Sequence, residues 1–245
     1  MGSGDWRSVR LMKGFATGDN RFGIGPGLYC LWATLAVCLA MALAGPSSES
    51  MTRLGVIVFL LGQIGLRSIW VKALPWLAPK ARFVVLGTVF AAVVEGFHMI
   101  SMPVFLSLRI DRDTSLTQGL IHYALDLLFT VPAYLAIFSV IWHFINRYHY
   151  TLWRYIFVMG LAQALGDGGL FFFLNAPALL FFLPYPMTNY HAINVIPFLA
   201  VRDHLRHERS ASAFTYLAVP GLIVTYLVCG AIIKWLGWFF GLEPS

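Results

Sequence analysis

Seven long apolar runs divide this chain, and they constrain its fold more than any other feature. They cover about residues 24–45, 53–76, 83–108, 117–145, 152–174, 187–203 and 214–240. A helix needs about 20 apolar residues to cross the hydrocarbon core of a bilayer, and lipid offers no partner for an open strand edge. The runs therefore predict an all-α fold, a polytopic membrane helix bundle with about seven transmembrane helices. The second run, which carries Arg67 and Lys72, and the short sixth run fit this pattern least well.

Composition supports a protein surrounded by lipid. The chain has 245 residues, of which 59% are hydrophobic and 11% charged, whereas a soluble domain has roughly 25% charged residues. Its net charge of +6 does not indicate nucleic-acid binding, because the basic residues do not cluster on one soluble surface. We expect a multi-pass integral membrane protein, in the endoplasmic reticulum if eukaryotic or in the inner membrane if bacterial.

Basic residues predict the orientation. Most of them occur in the N-terminal tail and in alternate connections between the runs: Arg7, Arg10, Lys13, Arg21, Lys72, Lys80, Arg82, Arg147, Arg154, Arg202, Arg206 and Arg209. With seven spans these segments all lie on one side, and basic segments mark the cytoplasmic side. The pattern predicts a cytoplasmic N-terminal tail, residues 1–23, followed by one transmembrane domain, residues 24–245.

Three acidic residues interrupt the apolar runs: Glu95, Asp126 and Asp167. An acid near the middle of a bilayer costs several kcal/mol unless it faces the bundle and is neutral, paired or wet. Intramembrane ionisable groups therefore indicate function, and we predict these three as the catalytic residues.

Further polar side chains lie one helical turn from these acids or at a similar depth. The predicted substrate-binding residues are His98, His122, Gln163, Tyr190, His191 and Asn194. Residues three or four apart share a helix face, so we expect one polar pocket in the outer half of the bundle. A single intramembrane histidine or asparagine often makes an interhelical hydrogen bond instead, and for His122 and His191 that interpretation stays open.

The chemistry that fits is proton transfer without a metal or other cofactor. The spans contain no histidine box of the kind that holds zinc or iron and no glycine-rich nucleotide loop, and the three cysteines form no CxxC pair. A carboxylic acid in an apolar site keeps its proton near neutral pH and can act as a general acid. A second carboxylate or an imidazole can take a proton back, and aromatic rings can stabilise a cation formed between the two steps.

Four segments carry a resemblance to a known family. They are residues 93–96 with Glu95 before a glycine, Asp126 followed by an apolar stretch with Pro132, residues 153–167 ending in Gln-Ala-Leu-Gly-Asp, and residues 195–204. In order and spacing they resemble the emopamil-binding protein family, the membrane sterol isomerases and relatives that share the EXPERA domain, over about residues 85–207. Two positions differ: Ala91 stands where the family has a histidine, and Ile193 stands at about the position of a family tryptophan.

The resemblance implies a helical bundle with a lipid-facing entry to an internal pocket. It implies proton-driven movement of a double bond through a carbocation, with Glu95 and Asp126 as acid and base and Asp167 orienting the pocket. We therefore expect an isomerase or cyclase acting on a sterol-like or terpenoid lipid. The alternatives are a non-enzymatic lipid- or sterol-binding membrane protein and, third, a proton-coupled transporter. The expected partners are a hydrophobic small molecule and the bilayer, and a homodimer is left open.

Overall fold

The computed structural model describes residues 23–206 and 213–242, and the regular structure within them is helical. The helices are α1 (Ile24–Ala44), α2 (Ser48–Gly65), α3 (Arg67–Trp70), α4 (Pro79–His98), α5 (Leu116–Arg147), α6 (Leu152–Ala164), α7 (Leu170–Asn175), α8 (Pro184–Val201) and α9 (Ala218–Phe239). A π-helical turn, Leu165–Gly169, joins α6 to α7. The prediction of an all-α membrane helix bundle is confirmed.

Among the described residues, five helical stretches are long and apolar enough to cross a membrane: Ile24–Ala44, Pro79–His98, Leu116–Arg147, Leu152–Asn175 and Phe214–Phe239. The other two predicted runs form α2 and α8, which have 18 residues each. The count of seven crossings, the cytoplasmic N-terminus and the choice of membrane stay predictions.

The predicted ends of two helical runs were wrong. The third run does not stay helical to residue 108, because α4 ends at His98 and the chain then folds back, with the Ile110 N–H donating to the Met99 carbonyl at 2.8 Å. The second run does not stay helical to residue 76, because α2 ends at Gly65 and α3 is one turn long. The fifth run, 152–174, agrees with the helical stretch Leu152–Asn175, within which the π-helical turn Leu165–Gly169 breaks the α-helical geometry.

Local sequence explains where several helices begin. The Ser47 side chain accepts from the Ser50 N–H at the start of α2, and the Thr151 side chain accepts from the Arg154 N–H at the start of α6. Ser115 and Gln118 form a reciprocal capping box at the start of α5. These caps satisfy N–H groups that the first helical turn leaves without partners.

Helix α8 lies at the centre of the bundle. It packs against α1, α2, α4 and α6, and 13 of its 18 residues are buried. A helix enclosed on all sides does not need an apolar face toward lipid. This explains how α8 carries Asn189, His191 and Asn194 within the bundle.

Contacts at the two ends of the bundle show which segments meet there. At one end the buried Arg82 guanidinium donates to the carbonyls of Val71, Ala73 and Ala200, so the start of α4 meets the end of α8. At the other end the Thr52 hydroxyl lies 2.9 Å from that of Ser101. The first end carries the basic residues Lys72, Lys80, Arg82 and Arg202, and the side of the membrane that it faces stays a prediction. Arg7, Arg10, Lys13, Arg21 and Arg209 lie outside the described residues.

Aromatic side chains fill the core where small residues leave space. Phe138 of α5 packs on Gly87 of α4 so closely that a Cβ atom there would lie 2.4 Å from its ring. Phe105, in the segment after α4, packs on Gly237 of α9 in the same way: a Cβ atom on Gly237 would lie 2.1 Å from the Phe105 ring. These contacts hold α4, α5 and α9 together around the acidic residues.

Candidate functional site

Glu95 lies in the last turn of α4 and accepts a hydrogen bond from Tyr134 of α5. The Tyr134 phenol is the donor and Oε1 of Glu95 is the acceptor. Both side chains are half-buried, so the carboxyl group keeps access from outside the packed core. Glu95 also interacts electrostatically with Asp167, which places these two predicted catalytic residues in one site.

Asp167 lies in the break between α6 and α7. Its own backbone leaves helical geometry (φ −82°, ψ 43°), and Gly168 has a φ of +90°, a conformation that favours glycine. The next residue must also be glycine, because a Cβ atom on Gly169 would lie 2.2 Å from the Ala164 carbonyl oxygen. The glycines that the sequence places beside Asp167 therefore open the helix at this carboxyl, which is exposed.

Tyrosines from α8 and α9 complete this part of the site. The buried Tyr190 donates to Oδ2 of Asp167 at 2.5 Å. Tyr226 donates to Oε1 of the buried Gln163 at 3.0 Å, and its ring stands edge-on to Tyr190 with the centroids 6.2 Å apart. Glu95, Asp167, Gln163 and Tyr190 are therefore brought together as one site.

Sequence reasoning missed Tyr134 and Tyr226. Each belongs to a long apolar helix and lies far along the chain from the group that it contacts. A polar phenol inside an apolar run was the available signal, since a buried tyrosine hydroxyl usually finds a hydrogen-bond partner. The identity of that partner depends on how the helices pack.

Asp126 approaches the same region from α5 but is enclosed differently. It is completely buried, and Oδ1 accepts from the Val104 N–H at 3.0 Å. Its Oδ2 atom has no hydrogen-bond partner among the described residues, and neither has Nδ1 of His122 one turn earlier. Asp126 interacts electrostatically with Glu95. The segment after α4 thus covers Asp126, whereas Asp167 stays accessible.

His98 belongs to a second polar cluster next to the carboxyl pair. Nδ2 of Asn189 lies 3.1 Å from Nε2 of His98, and Oδ1 of Asn189 accepts from Arg53 at 2.5 Å. Arg53 also pairs with Glu49 at 3.2 Å. The sequence predicted a role for His98 but not for Arg53 or Asn189, because their pairing depends on α2 packing against α8.

His191 and Asn194 face other parts of the bundle. Nε2 of His191 lies 2.5 Å from the Tyr29 hydroxyl of α1, while Asn194 accepts from Tyr155 of α6 at 3.0 Å. Beside Tyr29 lies an apolar groove of about 250 Å³ that is lined by Gly25, Pro26, Tyr29, Trp153 and Phe157. The structure therefore does not place His191 and Asn194 with the carboxyl pair.

No family model, curated protein or solved structure matches this chain. Within residues 23–206 and 213–242, no three histidine, cysteine, aspartate or glutamate side chains are arranged to hold a metal ion. The chemistry of the site therefore depends on its own groups. These are the two carboxyl groups of Glu95 and Asp167, each of which accepts a hydrogen bond from a tyrosine. They lie among helices that are long and apolar enough to span a membrane.

Proposed function

We propose that this protein is an integral-membrane isomerase or cyclase that uses intramembrane carboxyl groups for proton-initiated carbocation chemistry on a sterol-like or terpenoid lipid. The observation that carries the proposal is the pair formed by Glu95 and Asp167. The two carboxyl groups come from different helices, interact electrostatically and are each held by a tyrosine. Two charged carboxylates in apolar surroundings are costly, which favours a proton on the half-buried Glu95.

The different exposure of the two carboxyl groups assigns their roles. Glu95 is half-buried and donates the proton, whereas the exposed Asp167 is the carboxylate that removes one. Protonation of a carbon–carbon double bond by Glu95 forms a carbocation on the neighbouring carbon. Loss of a proton from an adjacent carbon to Asp167 then forms a new double bond. Attack by a second double bond before that loss would form a ring, and in both cases the product is an isomer of the substrate.

The tyrosines around the pair suit such a cation. Tyr134, Tyr190 and Tyr226 surround the carboxyl groups, and the faces of aromatic rings attract positive charge. Their hydroxyl groups are already engaged with Glu95, Asp167 and Gln163. The rings are therefore held in fixed positions while the charge moves along the lipid.

The resemblance to the emopamil-binding protein family supports the reaction class but not one substrate. The family pattern gave Asp126 the role of base, and we propose Asp167 instead because Asp126 is completely buried and held by a backbone N–H. Ala91 and Ile193 stand where the family pattern has a histidine and a tryptophan, and both are buried in the main core. Because these two family side chains are missing, the proposal is not restricted to sterols and extends to terpenoid lipids in general.

Mutation of the two carboxyl groups tests the proposal. We expect Glu95→Gln and Asp167→Asn each to lower turnover by about 10²- to 10⁴-fold, the range for lost general acid–base catalysis. Lipids that co-purify with wild type and with Glu95→Gln are identified by mass spectrometry, and the accumulated lipid is then supplied to wild-type protein in vesicles. Asp113→Asn, a change in the exposed loop before α5, is the matched control. Full turnover by both site variants would overturn the proposal.

The second candidate function is lipid binding without turnover. The apolar groove beside Tyr29 favours it, because a lipid chain there would contact Trp153 and Phe157 rather than the carboxyl groups. In that case Phe157→Ala weakens lipid retention, whereas Glu95→Gln leaves both the amount and the identity of the bound lipid unchanged. A product that forms with wild type and not with Glu95→Gln excludes this candidate.

A further inference from the structure

A buried arginine connects α2 to α8 beside the proposed site. Arg53 is 3% exposed, and its guanidinium lies 4.0 Å from the ring centroid of Tyr185. It donates to Oδ1 of Asn189 at 2.5 Å and to Glu49 at 3.2 Å. The positive charge is therefore balanced by Glu49, and the bond to Asn189 orients that amide.

The direction of each hydrogen bond follows from the chemistry of the donors. A guanidinium has no acceptor, so the atom of Asn189 that faces Arg53 must be the carbonyl oxygen. The amide NH₂ group of Asn189 then faces Nε2 of His98, at 3.1 Å. An NH₂ group only donates, so Nε2 must be the acceptor. His98 is therefore neutral, and its proton is on Nδ1.

The charges around His98 act in opposite directions. Arg53 opposes a second cation beside it, whereas Glu49 and Asp167 favour one. The state of the imidazole is therefore argued from the hydrogen bond alone: a proton on Nε2, in either the neutral or the charged form, would face the amide hydrogens of Asn189. This contact favours the neutral imidazole that donates through Nδ1.

We infer that Arg53 and Asn189 are positioning residues that hold His98 as a hydrogen-bond donor for an oxygen atom of the lipid substrate. This inference rests on the proposed function and narrows its substrate class to an apolar lipid with a hydroxyl, carbonyl or ether oxygen. His98 follows Glu95 by three residues on α4, about 4.5 Å along the helix axis. An oxygen bound at Nδ1 would therefore hold the neighbouring carbons within one helical turn of the proton donor.

The protonation state of His98 tests the positioning step without any turnover. In wild-type protein labelled with ¹⁵N-histidine, we expect the NMR signals of His98, assigned by their loss in His98→Gln, to show a proton on Nδ1 and none on Nε2. Asn189→Asp replaces the NH₂ donor by a second acceptor, so Nε2 should become protonated. Asn194→Asp is the matched control, because Asn194 also lies on α8 but bonds Tyr155. A proton on Nε2 in wild type would overturn the inference, and so would an unchanged tautomer in Asn189→Asp.

Two matched lipids test the ligand. Cholesterol and 5-cholestene differ in the hydroxyl group, and each is titrated into the full-length protein in vesicles. We expect wild type to bind cholesterol about tenfold more tightly, the value of one hydrogen bond of about 1.4 kcal/mol. His98→Phe should remove that preference, and equal preference in wild type and His98→Phe would overturn the ligand assignment. A protein that shows the tautomer and the preference but forms no product would contradict the proposed catalysis and leave this inference standing.

Discussion

Tyr134 of α5 donates a hydrogen bond to the carboxyl group of Glu95 in the last turn of α4, across 39 residues of sequence. This contact joins α5 to the helix that carries Glu95. It holds Glu95 in one orientation, so a group expected to deliver a proton in one direction does not rotate freely.

Tyr134→Phe should therefore lower turnover while the bundle stays folded. As Glu95 gives up its proton, the phenol donates to a charged carboxylate. A hydrogen bond to a charged group contributes about 1.5–3 kcal/mol, which corresponds to a loss of roughly 10- to 100-fold. The measurement is product formation by mass spectrometry with protein in vesicles. The control is Tyr150→Phe, which loses a buried hydrogen bond to the Thr215 carbonyl at the opposite end of the bundle. Equal losses in the two variants would show that Tyr134 acts through stability.

The break at Asp167 should not tolerate a side chain at Gly169. A Cβ atom there would lie 2.2 Å from the Ala164 carbonyl oxygen, so Gly169→Ala must shift the backbone that carries Asp167. We expect a loss of about 1–3 kcal/mol in the free energy of unfolding, typical of overpacking, together with a fall in turnover. Gly230→Ala in α9, where a Cβ meets nothing within 4 Å, is the control and should be neutral or stabilising. Denaturant titration that showed no difference between the two variants would contradict the structure of this break.

Asp126→Asn separates the two assignments of the proton acceptor. The amide keeps an oxygen that can accept from the Val104 N–H, so the fold and the covering segment should persist. If Asp167 is the base, turnover of Asp126→Asn should stay within about tenfold of wild type, and Asp167→Asn should lose 10²-fold or more. Turnover rates of the two variants, measured under the same conditions, decide which aspartate is the base. Loss of turnover in Asp126→Asn with a retained fold would return the role of base to Asp126.

The contact between Tyr29 and His191 should hold α1 against the bundle. Ala36 is the one buried residue of α1, so polar contacts matter more for the docking of α1 than for that of the central helices. Tyr29→Phe removes the hydroxyl that lies 2.5 Å from Nε2 of His191. We expect faster amide hydrogen exchange in α1 and unchanged exchange in α8. Cys38→Ser, at an exposed position of α1, serves as the control, and identical exchange in the two variants would argue against this role for Tyr29.

The loop before α5 should show a pH dependence that belongs to Asp111. The Thr114 hydroxyl donates to its Oδ1 atom at 2.8 Å, and this bond, with the Asp113 N–H, holds the pKa of Asp111 below its ordinary value. A lowered pKa in the folded state means that the contribution to stability is present above the ordinary pKa of about 3.9 and is lost as the pH falls below it. An NMR titration should find that Thr114→Val raises the pKa of Asp111. An unchanged value would show that the loop is held in another way.

Much of the polar site could be predicted because an acid in an apolar run is conspicuous. Glu95, Asp126 and Asp167 were identified from the chain, and Glu95 lies within electrostatic range of each of the other two. The arrangement around them could not be predicted, because Tyr134, Arg53 and Asn189 reach their partners through packing between distant helices. His191 and Asn194 were expected at the depth of the acids, but they face α1 and α6, since depth along a helix does not determine which neighbour a face meets.

The sequence by itself determined the all-α membrane bundle and which few side chains would be polar within it. Runs of apolar residues and the cost of unpaired backbone groups in lipid leave helices as the solution, and this argument needs no knowledge of packing. The tertiary structure decided that α8 lies at the centre, that the chain folds back after His98 and that Glu95 and Asp167 are held by tyrosines from other helices. Those contacts depend on the shapes of facing side chains, such as Phe138 against Gly87. A single sequence contains both residues but does not show that they face each other.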